Sequence, residues 1–375
     1  MSKRVMIWGA PSECDKLSPF EKSLEESGKN YGNILIGESV RGYLSCNDII
    51  SRNAVTSPAE ANEKCDQVVI PAANFLWKNF DFGYMADFLE KTKLPVTMIG
   101  VGAQTNDRSI TSQIHPNTLR LMRLVSERSN SIGVRGFYTA EVLAAHGIHN
   151  IAVIGCPSIY LGGLPRVSVD TTKLERFEKI SVNFSRRVYK HSFLPETMRS
   201  IEKLVLEIFI DRDTTFVAQD EVEELGMSSG NSLNYGYVTS YFDNISSEKC
   251  VSFFEKRTRF FCNVPDWAEY MKIQDVSIGS RFHGNLIALV NGTPAVLVVH
   301  DSRTQEMAAL LGIPHIHVSE YKDVEFGKDD ILQKIMDSNF NKFEQSYREL
   351  YARFVKFLCL NGLDNNLINS NFKYL

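Results

Sequence analysis

The run Ser280-Arg281-Phe282-His283-Gly284-Asn285 sets a fixed two-pronged cation, a group that titrates near neutral pH and a glycine side by side. An arginine fork matches phosphate or carboxylate oxygens. A histidine can give or take a proton, and a glycine lets a ligand approach the backbone closely. Val276–Ile278 before this cluster reads as a buried strand, and Leu286–Val290 after it as one face of a helix. The cluster therefore falls where a strand ends and a helix begins, beside free backbone N–H groups that suit an anion. Asn285 stands on the first turn of that helix as a further polar contact. The pattern repeats at once: His300-Asp301-Ser302-Arg303 lies between a strand at Ala295–Val299 and a helix at Thr304–Leu311. Ser302 and Gln305 have capping-box spacing, so Ser302 is the expected cap. Arg303 then sits on a first turn, where the helix dipole disfavours a cation unless an anion is bound nearby. A third cationic group, Arg186 and Arg187 in "NFSRRVYKH", follows the strand Lys179–Phe184, and one of the two is expected to face a cleft. A plainer reading stands beside these: Arg281 paired with a nearby acid, His283 as a helix cap, and Arg303 paired with Glu306 on the surface.

The elements that must position these groups alternate strand and helix along the chain. In the first half, strands are expected at Val5–Trp8, Gln67–Pro71, Val96–Val101, Ser131–Val134 and Ile151–Ile154. Helices are expected at Ile34–Leu44, Asn117–Arg128 and Tyr138–His146. "GGLPRVSVDTTK" has the glycine and proline content of a link. A second series follows, with strands at Lys179–Phe184, Thr214–Ala218 and Phe260–Val264 and a long helix at Pro195–Ile210, before the segment described first. Gly226–Asn244 is polar and irregular and reads as a loop or lid. Phe340–Leu360 is a last helix whose Phe343, Tyr347, Tyr351 and Phe354 form a packing stripe. This order predicts an α/β protein of two Rossmann-like, doubly wound domains facing a cleft, at residues 1–165 and 174–335. Residues 336–375 form a C-terminal helical segment free to pack back across both.

A chain of 375 residues suits two domains, and a net charge of −4 gives no general attraction to nucleic acid or an anionic membrane. The seven cysteines are scattered, with no CxxC pair, which argues against a disulfide framework or a zinc site and fits a reducing compartment. The opening residues lack the apolar core of a signal peptide, and no apolar run approaches a membrane span. A cytoplasmic location is the expectation. Asp211-Arg212-Asp213 mimics the D-x-D of metal-dependent sugar transferases, but directly after a long helix it reads as a solvated turn. His315 and His317 share a strand face without an acid or cysteine partner, so no metal is expected. "IGVGAQ" lacks the G-x-G-x-x-G dinucleotide fingerprint, and neither a G-x-S-x-G nor a phosphate-binding loop motif is present.

The segment "SIGSRFHGNLIALVNGTPAVLVVHDSRTQEMAALLGIP" closely resembles the R-x-H-G region of the polysaccharide pyruvyl transferase family, as do "VPDWAEYMKIQDVSIGSRFHG" and "FVAQDEVEELG" around it. "IGVRGFYTAEVLAAHGIHNIAVIGCPS" is similar to the family's arginine segment in the first half. "NYGNILI", "IPAANFL" and "IGVGAQ" fall where the family has N-x-G-D, a glycine triplet and G-x-G. Asn33, Ala72-Ala73-Asn74 and Gly136 depart from those patterns. The resemblance implies a fold similar to two-domain GT-B glycosyltransferases. It also implies transfer of the pyruvyl unit of phosphoenolpyruvate onto two hydroxyls of a sugar, giving a cyclic ketal and phosphate. By position it carries catalysis to His283 and Arg281 and donor binding to Arg186, Arg281, Gly284, Asn285 and Arg303. Acceptor binding goes to Asn33, Asn74, Gln104 and Arg135 in the first domain. No cofactor or metal is implied beyond phosphoenolpyruvate as co-substrate. The acceptor would be a sugar or a lipid-linked oligosaccharide of exopolysaccharide or capsule biosynthesis, met peripherally at a membrane. Two other readings use the same groups: a GT-B glycosyltransferase with a nucleotide-sugar donor, and a sugar- or anion-binding module without chemistry. Arg281 and His283 are both expected to face a solvent-filled cleft.

Overall fold

The structure, a computed structural model, describes residues 3–46, 48–103, 114–231 and 235–369. Its chain divides into two compact units that are not contiguous in sequence. The first comprises Met1–Ala10, Ile36–Arg166 and Ser346–Leu375, and the second Pro11–Leu35 and Val167–Gln345. The chain changes unit between Arg166 and Val167 and between Ala10 and Pro11; boundaries were expected at residues 165–174 and at 335/336. Two further crossings fall inside helices, Asn33–Tyr43 and Asn341–Leu360. Residues 11–35, expected in the first domain, belong to the second unit.

In the first unit, β1 (Arg4–Ile7), β2 (Asp48–Ser51), β3 (Gln67–Pro71) and β4 (Val96–Ile99) form a parallel sheet in the order β2-β1-β3-β4. Two further parallel strands, β5 (Ile132–Val134) and β6 (Ile151–Val153), pair with each other. A parallel bridge from Val101 to Val134 carries them on from the β4 end of the sheet. The strand β3 is buried along its whole length, which explains its unbroken "QVVIP" run. The last helix covers this unit with its aromatic stripe: Tyr347, Tyr351 and Phe354 are buried, and Phe354 stacks on Tyr160 at 4.1 Å. Asn361, just past it, accepts from Gln67 Nε2 at 2.9 Å through its carbonyl and from the Asn130 amide at 3.1 Å through its side chain.

The second unit holds β7 (Lys179–Asn183), β8 (Asp213–Val217), β9 (Thr258–Arg259), β10 (Val276–Gly279), β11 (Ala295–Val299) and β12 (His315–His317). All pairings are parallel, in the order β12-β11-β10-β7-β8-β9. Counted from β7, this is the doubly wound Rossmann order, and it reverses between β7 and β10. Right-handed crossovers then send helices to opposite faces and leave a crevice at the carboxyl ends of those two strands. The segment Pro11–Leu35 adds the helix Phe20–Glu26 and Tyr31 to this unit's core. Two sequence expectations are corrected here. Phe260–Val264 is not a strand: β9 is only Thr258–Arg259, and the aromatic residues beyond it pack as side chains, Phe260 on Tyr31 at 4.9 Å and Phe261 on Trp267 at 5.6 Å. Gly226–Asn244 is not all loop, since it contains the helix Gly236–Tyr241, whose Val238 and Tyr241 are buried.

The reversal point depends on a glycine. Gly279 closes β10 with φ +153°, and a Cβ there would lie 1.7 Å from the Asn183 carbonyl oxygen of β7. No flexible side chain can yield, because the obstacle is backbone. Gly279→Ala is therefore expected to separate β7 from β10 and abolish the cooperative thermal transition, as checked by differential scanning calorimetry. A melting temperature within a degree or two of wild type would contradict this packing.

Candidate functional site

Three strand ends of the second unit converge at the reversal point. Asn183 ends β7, Ser280 and Arg281 follow β10, and the turn Gln219-Asp220-Glu221 follows β8. Asn183 Oδ1 accepts the Arg281 amide at 2.9 Å, which fixes where the helix Phe282–Val290 starts. Asn285 on its first turn donates to the Gly279 carbonyl at 2.9 Å and accepts from Ser277 Oγ at 2.9 Å. It is thus fully engaged inside the protein. Gly284 makes room for neighbours: a Cβ there would lie 3.0 Å from both Asn183 Cγ and Gln219 Nε2.

Arg281 is not on an open surface. It is 4 % exposed, and its Nε donates to Glu221 at 2.8 Å and to the Phe184 carbonyl at 3.1 Å. Its Nη2 donates to Asp220 and Glu221. Burial pulls its pKa down, but Asp220 and Glu221 more than offset this and hold it above its ordinary value. Burial pushes Glu221 above the usual carboxylate range against the pull of Arg281, and the nearby Asp220 adds to that push. Arg186 is held likewise: its Nε donates to Glu224 at 2.7 Å, and its Nη2 reaches Glu224 at 2.9 Å and also Glu223. The expectation that Arg281 faces solvent is corrected: two carboxylates already fill its fork, as in the plainer reading. Between Arg186 and Arg187 it is Arg187 that is the more exposed, its Nη1 donating to the Asp220 carbonyl at 2.9 Å.

Behind this pair lies an acid that sequence reasoning missed. Glu202, on the helix Pro195–Phe209, is fully buried and raised in pKa by burial. It accepts from the Ser185 amide at 3.0 Å, Ser280 Oγ at 2.5 Å and Tyr241 Oη at 2.7 Å. Its signal was faint, one of three glutamates in an amphipathic helix. Asp220 and Glu221 were not singled out either, although an acidic pair directly after a strand was a signal that could have found them.

His283 is half-buried on the first turn of its helix, and it meets a segment from far away in sequence. A methyl group placed on Gly32 would lie 2.7 Å from His283 Nδ1, 2.5 Å from Gln219 Oε1 and 2.9 Å from Asn30 Oδ1. The turn is held by Tyr31, whose amide donates to the Gln219 carbonyl at 3.0 Å. So "NYGN" adjoins "RFHG" within one unit. Asn33 donates to the carbonyls of Ser27 and Gly28 at 3.2 and 3.3 Å, and it lies in the second unit rather than the first.

At the next strand end the cap of the helix Ser302–Leu311 is Asp301, not Ser302. Asp301 Oδ1 accepts from the Thr304 amide at 2.7 Å, and the Thr304 hydroxyl closes the capping box. Thr304 Oγ1 can both reach the Asp301 amide and sit at the third helical position, a pairing the Ser302/Gln305 spacing obscured. Arg303 is 19 % exposed in its side chain, 3.4 Å from Asp301, with Nε buried and unpaired. His300 is completely buried, with the Ser280 backbone beside its ring. Burial lowers its pKa from 6.5 to about 4, and the nearby Arg303 and Arg281 push in the same direction against Asp301.

In the first unit, Arg135 and Asn74 come together. Arg135 donates from Nη1 to Asn74 Oδ1 at 2.9 Å and from Nε to the Gly100 carbonyl at 2.9 Å, tying the ends of β3, β4 and β5. Gln104 lies outside the described residues. The two acids of "DRD" are exposed, with Asp211 2.6 Å from Lys249 and Asp213 3.1 Å from Arg257.

A family profile described as polysaccharide pyruvyl transferase matches residues 30–302, more than half of the chain. The chain belongs to the polysaccharide pyruvyl transferase family. No curated protein matches it. Among solved structures it is similar to the S. aureus MnaA–UDP co-structure, with 14 % identity, 97 % of this chain and 99 % of that one covered, and a TM-score of 0.46. It is also similar to the Methanocaldococcus jannaschii UDP-GlcNAc 2-epimerase in complex with UDP-GlcNAc and UDP (13 %, 94 % and 99 %, 0.43). A third is an α,α-trehalose-phosphate synthase (UDP-forming) from Burkholderia vietnamiensis (10 %, 96 % and 97 %, 0.43). The matched span of this pyruvyl transferase begins at Asn30 and ends at Ser302, so it contains both sides of the Gly32–His283 contact. No helix among the described residues is long and apolar enough to cross a membrane.

Two outcomes follow from this geometry. Arg281→Ala leaves the buried Glu221 and the part-buried Asp220 without their cation and is expected to cost about 3–5 kcal/mol in urea denaturation; a loss below 1 kcal/mol would remove the anchoring role. For His300 the folded pKa is the lower one. Its stabilising contribution is therefore complete above pH 6.5 and is lost as pH falls toward about 4. His300→Leu should accordingly lose about 3 kcal/mol less stability than wild type across that window. Parallel pH profiles for the two proteins would contradict a buried neutral ring.

Proposed function

We propose that this protein transfers the pyruvyl group of phosphoenolpyruvate onto two hydroxyls of a sugar in a surface-polysaccharide precursor, forming a cyclic ketal and releasing phosphate. The family supports a pyruvyl transferase and a polysaccharide acceptor. The observation that carries the finer reading is the meeting of His283 with the Gly32 turn at the amino end of a helix, beside the sheet's reversal point. A proton-transfer group there is next to backbone N–H groups that suit an anionic donor.

In this reading His283 moves the proton, either to the methylene carbon of the donor or from the attacking hydroxyl. Protonation makes the central carbon electrophilic, one sugar hydroxyl adds, phosphate leaves, and the second hydroxyl closes the ring. The helix start and Arg303, with its unpaired Nε, meet the donor's charge. Arg281 and Arg186 shape that pocket from behind their carboxylates, and Gly284 and Asn285 set the helix start. Asn74 and Arg135 in the first unit, and Asn33 in the second, are assigned to the acceptor. The protein works in the cytoplasm without a metal ion.

The test is phosphate release from phosphoenolpyruvate with pooled saccharide acceptors, read beside nucleotide release from UDP-sugars. Phosphate release is expected, and it should persist in excess chelator; nucleotide release alone would replace this reading with a glycosyltransferase. His283→Ala should lower turnover by about 10²–10⁴-fold at an unchanged melting temperature. If the variant melts several degrees lower yet turns over near the wild-type rate, His283 is structural. Gly32→Ala should likewise depress turnover, because the added methyl displaces His283 or Gln219.

A further inference from the structure

The cysteines scattered through the sequence include one pair that the fold brings together. The Cys14 amide donates to the Cys262 carbonyl at 2.9 Å, across 247 intervening residues of one unit. A backbone bond of that length sets the two Cα atoms roughly 5–6 Å apart, inside the span a disulfide bridges. Each thiol shifts the other's titration, Cys14 upward and Cys262 downward. Both are free, Cys14 half-buried and Cys262 buried. Among the described residues the other cysteines are not placed against a second thiol by any such backbone contact.

We propose that Cys14 and Cys262 form a reversible disulfide, a thiol–disulfide exchange site for low-molecular-weight disulfides such as oxidised glutathione. Cys14 is the more accessible sulfur, and because the Cys262 thiol and burial hold its pKa above the ordinary thiol value, the first attack is the slow step. Its thiolate attacks one sulfur of the glutathione disulfide, forming a mixed disulfide and expelling one glutathione thiolate. Cys262 then attacks the Cys14 sulfur, forming the protein disulfide and expelling the second glutathione. Two protein thiols are oxidised, one disulfide is reduced, and the two thiol protons pass to the two leaving thiolates.

The site is connected to the Gly32 turn. Ser23 helps to lower the Cys262 pKa, and its Oγ lies 2.6 Å from Tyr31 Oη. Tyr31 immediately precedes Gly32, whose backbone adjoins His283. The disulfide thus fastens the segment Pro11–Leu35, which carries this turn, to the rest of its unit by a covalent tie.

The full-length protein is incubated with oxidised glutathione, and intact mass, thiol count and peptide map are read under native and denaturing conditions. The expected result is loss of two thiols, a mass decrease of about 2 Da, and a Cys14–Cys262 cross-linked peptide. Dithiothreitol should reverse it. The melting temperature should rise by several degrees on oxidation, as closure of so long a loop predicts, and the rise should be absent in Cys14→Ser and Cys262→Ser. A stable glutathione adduct on Cys14 with Cys262 still reduced would overturn the proposal. So would a disulfide between other cysteines, or no thiol loss in protein shown to be folded. These readouts do not involve turnover, so they stand whether or not the protein acts on phosphoenolpyruvate.

Discussion

The guanidinium of Arg281, buried between Asp220 and Glu221, sets the geometry of the second unit's strand ends. A cation in a low-dielectric interior must be matched, and each carboxylate there must be matched in turn. Satisfying that requirement fixes the turn after β8 against the start of the helix after β10. Gln219 on that turn then holds Tyr31, and Tyr31 delivers Gly32 to His283. An arginine that reads from sequence as a ligand for an external anion is, in the structure, a support for the residues around it.

The first unit uses the same device in a neutral form. Arg135 binds the carbonyl of Gly100 and the amide oxygen of Asn74, so it clamps three strand ends with backbone and amide oxygens rather than carboxylates. The second unit instead packs four acids, Asp220, Glu221, Glu223 and Glu224, around two arginines, with the buried Glu202 behind them on Ser280. Its resting strand ends carry an excess of potential negative charge. An incoming anion gains from Arg303 and the helix start only what those acids do not screen.

Much of the fold was legible because its signals are local. Fully buried strands such as β3 and β11 are short apolar runs, and "PETMRSIEKLVLEIF" shows one apolar helical face. The position of the His283 and Arg303 clusters at strand ends followed from the same alternation. What was hidden is non-local. Nothing within residues 11–35 says that they pack with residues beyond 167, and no spacing rule pairs Asn30 with Gln219 or Cys14 with Cys262. The state of Arg281 was hidden for a related reason: whether a cation binds a ligand or a neighbour depends on which strand lies beside it. Short irregular pieces such as Thr258–Arg259 were misread because neighbouring aromatics supplied a strand-like pattern that packing used otherwise.

The interleaving of the two units also orders events during synthesis. The second unit needs nothing after Gln345, so its sheet can close on the segment 11–35 as soon as that point has left the ribosome. The first unit has all its strands by Val153 but lacks the aromatic face of the last helix and the Asn361 side chain that bridges Asn130. Its half-built hydrophobic surface must wait, exposed, while the whole of the second unit is translated. The unit to which β1 belongs is therefore finished after the second one.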